Sequence, residues 1–210
     1  MNTRINAGNR NLANGIIITA GMALYLVITS FVIGRNDFFL LLNNDLGKPA
    51  DIFFAFWTNL GDGVIWVIVA GLILKYRKKQ FPLLIATIII STLITQLTKT
   101  YIVPAEPRPT VAITDTNLIH TVADVELHTA YSFPSGHTTA AFCIFFIGCL
   151  LINKRWVVPV GFVYALLVGY SRIYLAQHFP LDVGAGMFVA IVTILLSILI
   201  QQKWERRKYL

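Results

Sequence analysis

The chain has 210 residues, 56% of them apolar and 13% charged, with a formal net charge of +7. A soluble domain holds about 45–50% apolar residues even with glycine counted and about 25% charged ones, so a water-soluble globule is excluded, and so are a disordered or collagen-like chain. Two cysteines are too few for a disulfide scaffold, and the positive charge lies in short segments between apolar runs rather than in a nucleic-acid-binding stripe, which leaves a polytopic protein of the lipid bilayer with no nucleic-acid partner.

Taken in chain order, six apolar stretches approach the roughly 20 residues that cross a bilayer core as helix. The first, over 15–34, follows Arg4 and Arg10. It is longer than the apolar core of a secretory signal and no small-residue cleavage site follows it, so it is expected to be retained. The second, over 52–74, contains Asn59-Leu60-Gly61-Asp62-Gly63, where two glycines mark an interrupted or terminal turn. An ionisable residue within a span faces protein or water, and Asp62 is read as structural. The third stretch, over 81–98, follows the basic run Lys75, Arg77, Lys78 and Lys79.

A long connection, about 99–135, comes next, with Pro104, Pro107 and Pro109 and several acidic groups. A connection of that length has a function or its own secondary structure. The fourth stretch, over 136–152, holds Cys143 and Cys149, read as small apolar fillers. The fifth, over 157–174, follows Lys154 and Arg155, and the sixth, over 181–201, precedes Lys203, Arg206, Arg207 and Lys208. Basic connections alternate with acidic or neutral ones. The positive-inside rule therefore places both termini in the cytoplasm and both the 99–135 and 172–181 connections outside it. The expectation is an all-α membrane bundle of six transmembrane helices, one domain over 1–210, multi-pass in the cytoplasmic membrane.

Three polar clusters emerge on the extracytoplasmic face: Lys99 with Arg108-Pro109, then Pro134-Ser135-Gly136-His137, then Ser171-Arg172 with His178 and Asp182. His178 and Asp182 are four apart, which on a helix puts them on one face, and Pro180 between them suits a first helical turn. A carboxylate bonded to one imidazole nitrogen fixes the tautomer and leaves the other nitrogen as nucleophile or base. Arg108 and Arg172 offer forked bonds to a phosphate-like group, and Ser135-Gly136 at a helix start offers a hydroxyl, free N–H groups and the positive end of the dipole. Singly, each cluster has a plainer reading: a helix-capping His/Asp pair, arginines snorkelling to the interface, an N-cap serine. On one face together they specify phosphoryl transfer through a histidine.

These three clusters, spanning 99–182, resemble the signature motifs of the type 2 phosphatidic acid phosphatase, or lipid phosphate phosphatase, family. The second and third motifs match completely. In the first, eight residues separate Lys99 from Arg108 where the family has six, and Tyr101 stands at the expected lysine position. Two extra helical residues turn a side chain by about 200° and move it by about 3 Å. The Pro104–Pro107 loop is expected to absorb them, so that Lys99 still reaches phosphate.

The resemblance implies His178 as nucleophile forming a phosphohistidine, Asp182 as its orienting carboxylate, and His137 as acid towards the leaving oxygen and then base towards water. It implies Lys99, Arg108, Ser135, Gly136 and Arg172 as phosphate-binding residues, with no metal and no cofactor. His120 and His128 form no metal-ligand spacing and are read as loop residues near the substrate. The implied substrate is a membrane lipid phosphate or diphosphate: undecaprenyl diphosphate, phosphatidic acid, phosphatidylglycerophosphate or lipid A phosphate, with undecaprenyl diphosphate favoured by the face on which the site lies. A lipid phosphotransferase using the same site, a related vanadate haloperoxidase, and an anion or lipid transporter are the competing readings. The last lacks the paired repeats and mid-membrane site of transporters.

Overall fold

In a bilayer, an apolar run satisfies its own backbone hydrogen bonds only as a helix or a closed barrel, and runs this long without strand alternation become helices. The computed structural model describes residues 7–207, all helix, turn or loop with no strand among them. Arg4 and Lys208 lie outside the described residues. The helices are α1 (Ala7–Val32), α2 (Arg35–Leu42), α3 (Lys48–Trp57), α4 (Ile65–Tyr76), α5 (Phe81–Leu97), α6 (Pro109–Ala112), α7 (Gly136–Leu151), α8 (Val157–Tyr174) and α9 (Pro180–Arg207).

Four helical stretches are long and apolar enough to cross a membrane: Gly8–Val32, Lys78–Ile102, Val157–Tyr174 and Pro180–Arg207. The expected second span is two segments, Lys48–Gly61 and Ile65–Tyr76, bent by 52° and together making a fifth candidate. The break falls on the Gly61-Asp62-Gly63 sequence that signalled it, since glycine and a side chain competing for the backbone both weaken a helix. α7, apolar but only 16 residues long, is the shortest of the expected crossings. Many large apolar side chains on the outer faces are exposed, among them Phe31, Val67 and Ile68, as a lipid-facing surface requires.

α9 packs on α1, α5 and α7, and α8 packs on α7. Its buried positions, including Val183, Gly186, Met187, Ala190, Ile194 and Gln201, recur every three or four residues and form one stripe. Small residues set its approach to α7: a Cβ on Gly186 would lie 2.7 Å from the Ser135 carbonyl oxygen, so only glycine lets the start of α7 come this near. Farther along α7 lies an aromatic core of Phe142, Phe145 and Phe146 with both cysteines buried in it. At the far end of α9, Gln201 accepts from the Leu83 N–H and donates to the Lys79 carbonyl, capping the start of α5.

Candidate active site

The geometry begins at the turn between α8 and α9. There Arg172 O accepts from the N–H groups of Gln177 (2.8 Å) and His178 (3.0 Å), and Ala176 takes a left-handed conformation with φ 54 to close the turn. Phe179 stands at the N-cap, Pro180 at the first helical position and Asp182 at the third, where its Oδ2 reaches back to accept from the Phe179 N–H at 2.9 Å. This is the acidic half of a capping box, and it fixes the carboxylate before any histidine is considered. His178 Nδ1 then lies 3.3 Å from the same Oδ2, and the Ser132 hydroxyl donates to it as well. Both His178 and Asp182 are almost completely buried.

With Nδ1 on the carboxylate, His178 Nε2 faces outward from the pair, and Arg108 Nη1 stands 3.5 Å from it. Burial, with Arg108, Arg172 and Lys99 nearby, holds the imidazole well below the ordinary histidine pKa, so it is neutral at physiological pH with its Nε2 lone pair facing Arg108. Arg108 is drawn in from the long connection by Nε to Ala130 O (3.0 Å) and Nη1 to Gln177 O (2.7 Å) and Oε1 (3.2 Å). Burial lowers its pKa, and the Asp182 carboxylate opposes that shift.

Arg172 comes from the last turn of α8 and is buried; its Nη1 donates to Thr58 Oγ1 at 2.7 Å, while its Nε has no partner. A buried guanidinium N–H left unpaired costs free energy unless an anion completes it. Ser135 caps α7, its Oγ accepting from the Thr138 N–H (3.4 Å) and the Thr138 hydroxyl (2.9 Å), which leaves its own O–H to donate. Gly136 and His137 open the same helix, and Ser135 N–H is tied to the Asp182 carbonyl at 3.0 Å. The starts of α7 and α9 therefore meet.

Lys99 sits in a π-turn, Thr98–Ile102, closed by Val103 N–H to Thr98 O at 2.8 Å. An irregular loop follows this turn as far as Arg108. The Lys99 ammonium is within electrostatic reach of Arg108, Arg172 and Asp182. All eight residues singled out in the sequence thus belong to one neighbourhood. An apolar groove of about 450 Å³ adjoins it between α1, α5 and α9; its lining includes Thr98, Pro134 and Leu181, the chain neighbours of Lys99, Ser135 and Asp182.

The sequence reading missed Ser132, Gln177 and Thr58, which hold Asp182, Arg108 and Arg172 respectively. Gln177 stands next to a conspicuous histidine, but Ser132 and Thr58 carry no sequence signal. His120 is committed elsewhere: its Nε2 lies 3.0 Å from Asp51 Oδ1, which also accepts from the Tyr174 hydroxyl at 2.6 Å. Asn43 adds bonds to the His120 backbone and to Ile173 O and Tyr174 O. This clamp fastens the long connection to α3 and α8. Asp45, Asp51 and His120 present ligand atoms within 4.8 Å of one another, a grouping invisible in sequence spacing because it joins two segments. His128 Nδ1 lies 3.8 Å from Glu126 at an exposed position.

Comparison with known proteins gives the chain's relatives. A family model described as the PAP2 superfamily matches residues 80–206. An undecaprenyl-diphosphatase of Sulfolobus acidocaldarius is 28% identical over 202 residues, covering 89% of this chain and 92% of that protein. The undecaprenyl-diphosphatase BcrC of Bacillus subtilis is 41% identical over 108 residues, 51% of this chain and 49% of its own length. Among solved structures, Aquifex aeolicus LpxE superposes with a TM-score of 0.67 at 31% identity, covering 77% of this chain and 93% of that one. A PAP2 type phosphatidylglycerolphosphate phosphatase from Bacillus subtilis shares the fold with a TM-score of 0.61 at 21% identity, covering 92% and 96%.

Proposed function

The chain belongs to the PAP2 superfamily of phosphatases, and from that premise we propose that it hydrolyses a lipid diphosphate or phosphate at the extracytoplasmic face of the cytoplasmic membrane, through a phosphohistidine on His178. The observation that carries this reading is the arrangement around one imidazole: Asp182 on Nδ1, and the guanidinium of Arg108 facing the unprotonated Nε2.

His178 Nε2 attacks phosphorus in line, forming a P–N bond as the P–O bond to the lipid breaks. His137 gives its proton to the departing oxygen, then takes one from the water that attacks phosphorus and releases phosphate. Asp182 orients His178 and balances the positive charge that the ring gains on phosphorylation, while Ser132 and the Phe179 N–H keep the carboxylate in place. Lys99, Arg108, Arg172, the Ser135 hydroxyl and the Gly136 N–H receive the equatorial oxygens, and the unpaired Arg172 Nε is a donor available for one of them. None of these steps requires a metal or cofactor.

Counting the bent pair α3 and α4 as one crossing and the 16-residue α7 as another makes six, and with the basic connections this supports a reading in which both termini lie in the cytoplasm. The adjoining groove suits a hydrocarbon tail that remains in lipid while the phosphate enters the site. Undecaprenyl diphosphate is the favoured substrate, supported by the Sulfolobus and Bacillus relatives. The test is phosphate release in detergent with EDTA present, from undecaprenyl diphosphate, phosphatidic acid, phosphatidylglycerophosphate and lipid A, by wild type and His178→Ala. Turnover that resists EDTA, is absent in the variant and is fastest on the diphosphate is expected. Turnover retained by His178→Ala would overturn the phosphohistidine.

A further inference from the structure

Asp62 is the one ionisable residue inside an apolar stretch that the proposed reaction leaves without a task. It stands at the break between α3 and α4, and that break is bound to the site at several points. Thr58 accepts from Arg172 Nη1 at 2.7 Å, and the Tyr164 hydroxyl donates to Leu60 O at 2.7 Å. A Cβ on Gly61 would lie 2.5 Å from Val168 Cγ1 and 3.0 Å from His137 O, so the backbone just before Asp62 lies directly against His137 and α8. The Asp62 carboxylate accepts from the Gly63 N–H and is exposed to solvent.

The charges facing His137 decide what this placement does. Within electrostatic reach of it are Arg172 from α8, Lys99 from the end of α5, Arg108 from the long connection, His178 from the α8–α9 turn, and Asp62 from the break. Asp62 is the anion in that set, and it is also within electrostatic reach of Arg172. Asp182 is already held by His178, Ser132 and Phe179. An imidazole that must enter the first step protonated, among three cations, needs a carboxylate to balance it.

Building on the proposed function, we propose that Asp62 is the partner carboxylate of His137: a positioning residue that keeps the leaving-group acid protonated and exchanges its proton with solvent. The site then holds two His/Asp couples with opposite tasks. Asp182 orients the neutral nucleophile, and Asp62 supports the charged acid. In the first step the proton on His137 passes to the leaving oxygen as P–O breaks and P–N forms. In the second, His137 recovers a proton from the attacking water as P–N breaks.

The experiment is Asp62→Asn, which retains a carbonyl oxygen for the Gly63 N–H at an exposed position and is therefore compatible with folding. Phosphatidic acid, whose leaving alkoxide needs a proton, is compared with p-nitrophenyl phosphate, whose leaving phenolate does not. The expected result is a kcat loss of about tenfold or more on the lipid, a loss of less than about threefold on the nitrophenyl ester, and a basic limb of the pH profile moved to lower pH. Asp62→Glu is expected to recover most of the lipid activity. In a His137→Ala background, adding Asp62→Asn is expected to change little, because the two act as one unit. Equal losses on both substrates with an unchanged pH profile, or fully additive losses in the double variant, would overturn the proposal. A His178→Ala enzyme that still turns over either substrate would instead remove the reading on which it rests.

Discussion

The two flanks of the site are built in opposite ways. On the flank of the proposed nucleophile, His178 and Asp182 lie four residues apart, and one turn of helix plus a capping bond sets their relation. On the opposite flank, Arg172 meets Thr58 and His137 meets the Gly61–Asp62 break, so groups distant in sequence are joined by the packing of α7 and α8 against a bent helix pair. The first flank is local and rigid because backbone geometry supplies it. The second exists only once the bundle has assembled, and it depends on a glycine where another residue would clash.

The largest test of this contrast is removal of the local flank. His178→Ala is expected to lower kcat on the lipid substrate by about 10⁴-fold or more, measured as phosphate release, with the variant still eluting as folded protein. A residual rate within tenfold of wild type would mean that the couple is only a helix cap. Next comes the assembled flank: Arg172→Lys preserves charge but loses the forked donors that Thr58 and the unpaired Nε define, and a fall of about 10²-fold in kcat/KM is expected. If lysine serves equally well, the packing of Thr58 against Arg172 is incidental.

Ser132→Ala sharpens the comparison within the local flank. It removes one of the donors to Asp182 while the Phe179 N–H remains, so a kcat loss of about tenfold with little change in KM is expected. The smallest effect concerns pH. His178 titrates well below the ordinary histidine value because burial and the surrounding cations disfavour its charged form. The active, neutral nucleophile therefore persists as pH falls through about 6.5, where a free histidine would be half protonated. Between pH 7 and 6 the lipid kcat is expected to change by less than about twofold on this account, and a steep loss centred near 6.5 in a pH–rate profile would contradict the burial argument.

Much of this was legible before any coordinates. The apolar runs announced helices, the glycines around Asp62 announced the break, and the His178/Asp182 spacing announced a shared face. The displaced Lys99 was readable as an anomaly, but the π-turn in which it sits was not, because a widened turn carries no residue signature of its own. Helix α2 within the first connection and the clamp of Asn43, Asp51 and His120 also escaped the sequence reading. Their partners come from separate segments, and spacing along one segment is silent about them.

The amino-acid sequence by itself determined the all-helical membrane class, the polar clusters and the nucleophile couple, since these rest on composition, period and helix-cap geometry over a few residues. Only the tertiary structure decided that Ser132, Gln177 and Thr58 hold Asp182, Arg108 and Arg172, that the start of α7 meets the start of α9 across Gly186, and that the backbone at Gly61 lies against His137 with Asp62 in electrostatic reach of it. The physical reason is range: a helix turn fixes neighbours within about 6 Å along one chain segment, whereas contact between segments depends on how whole faces pack.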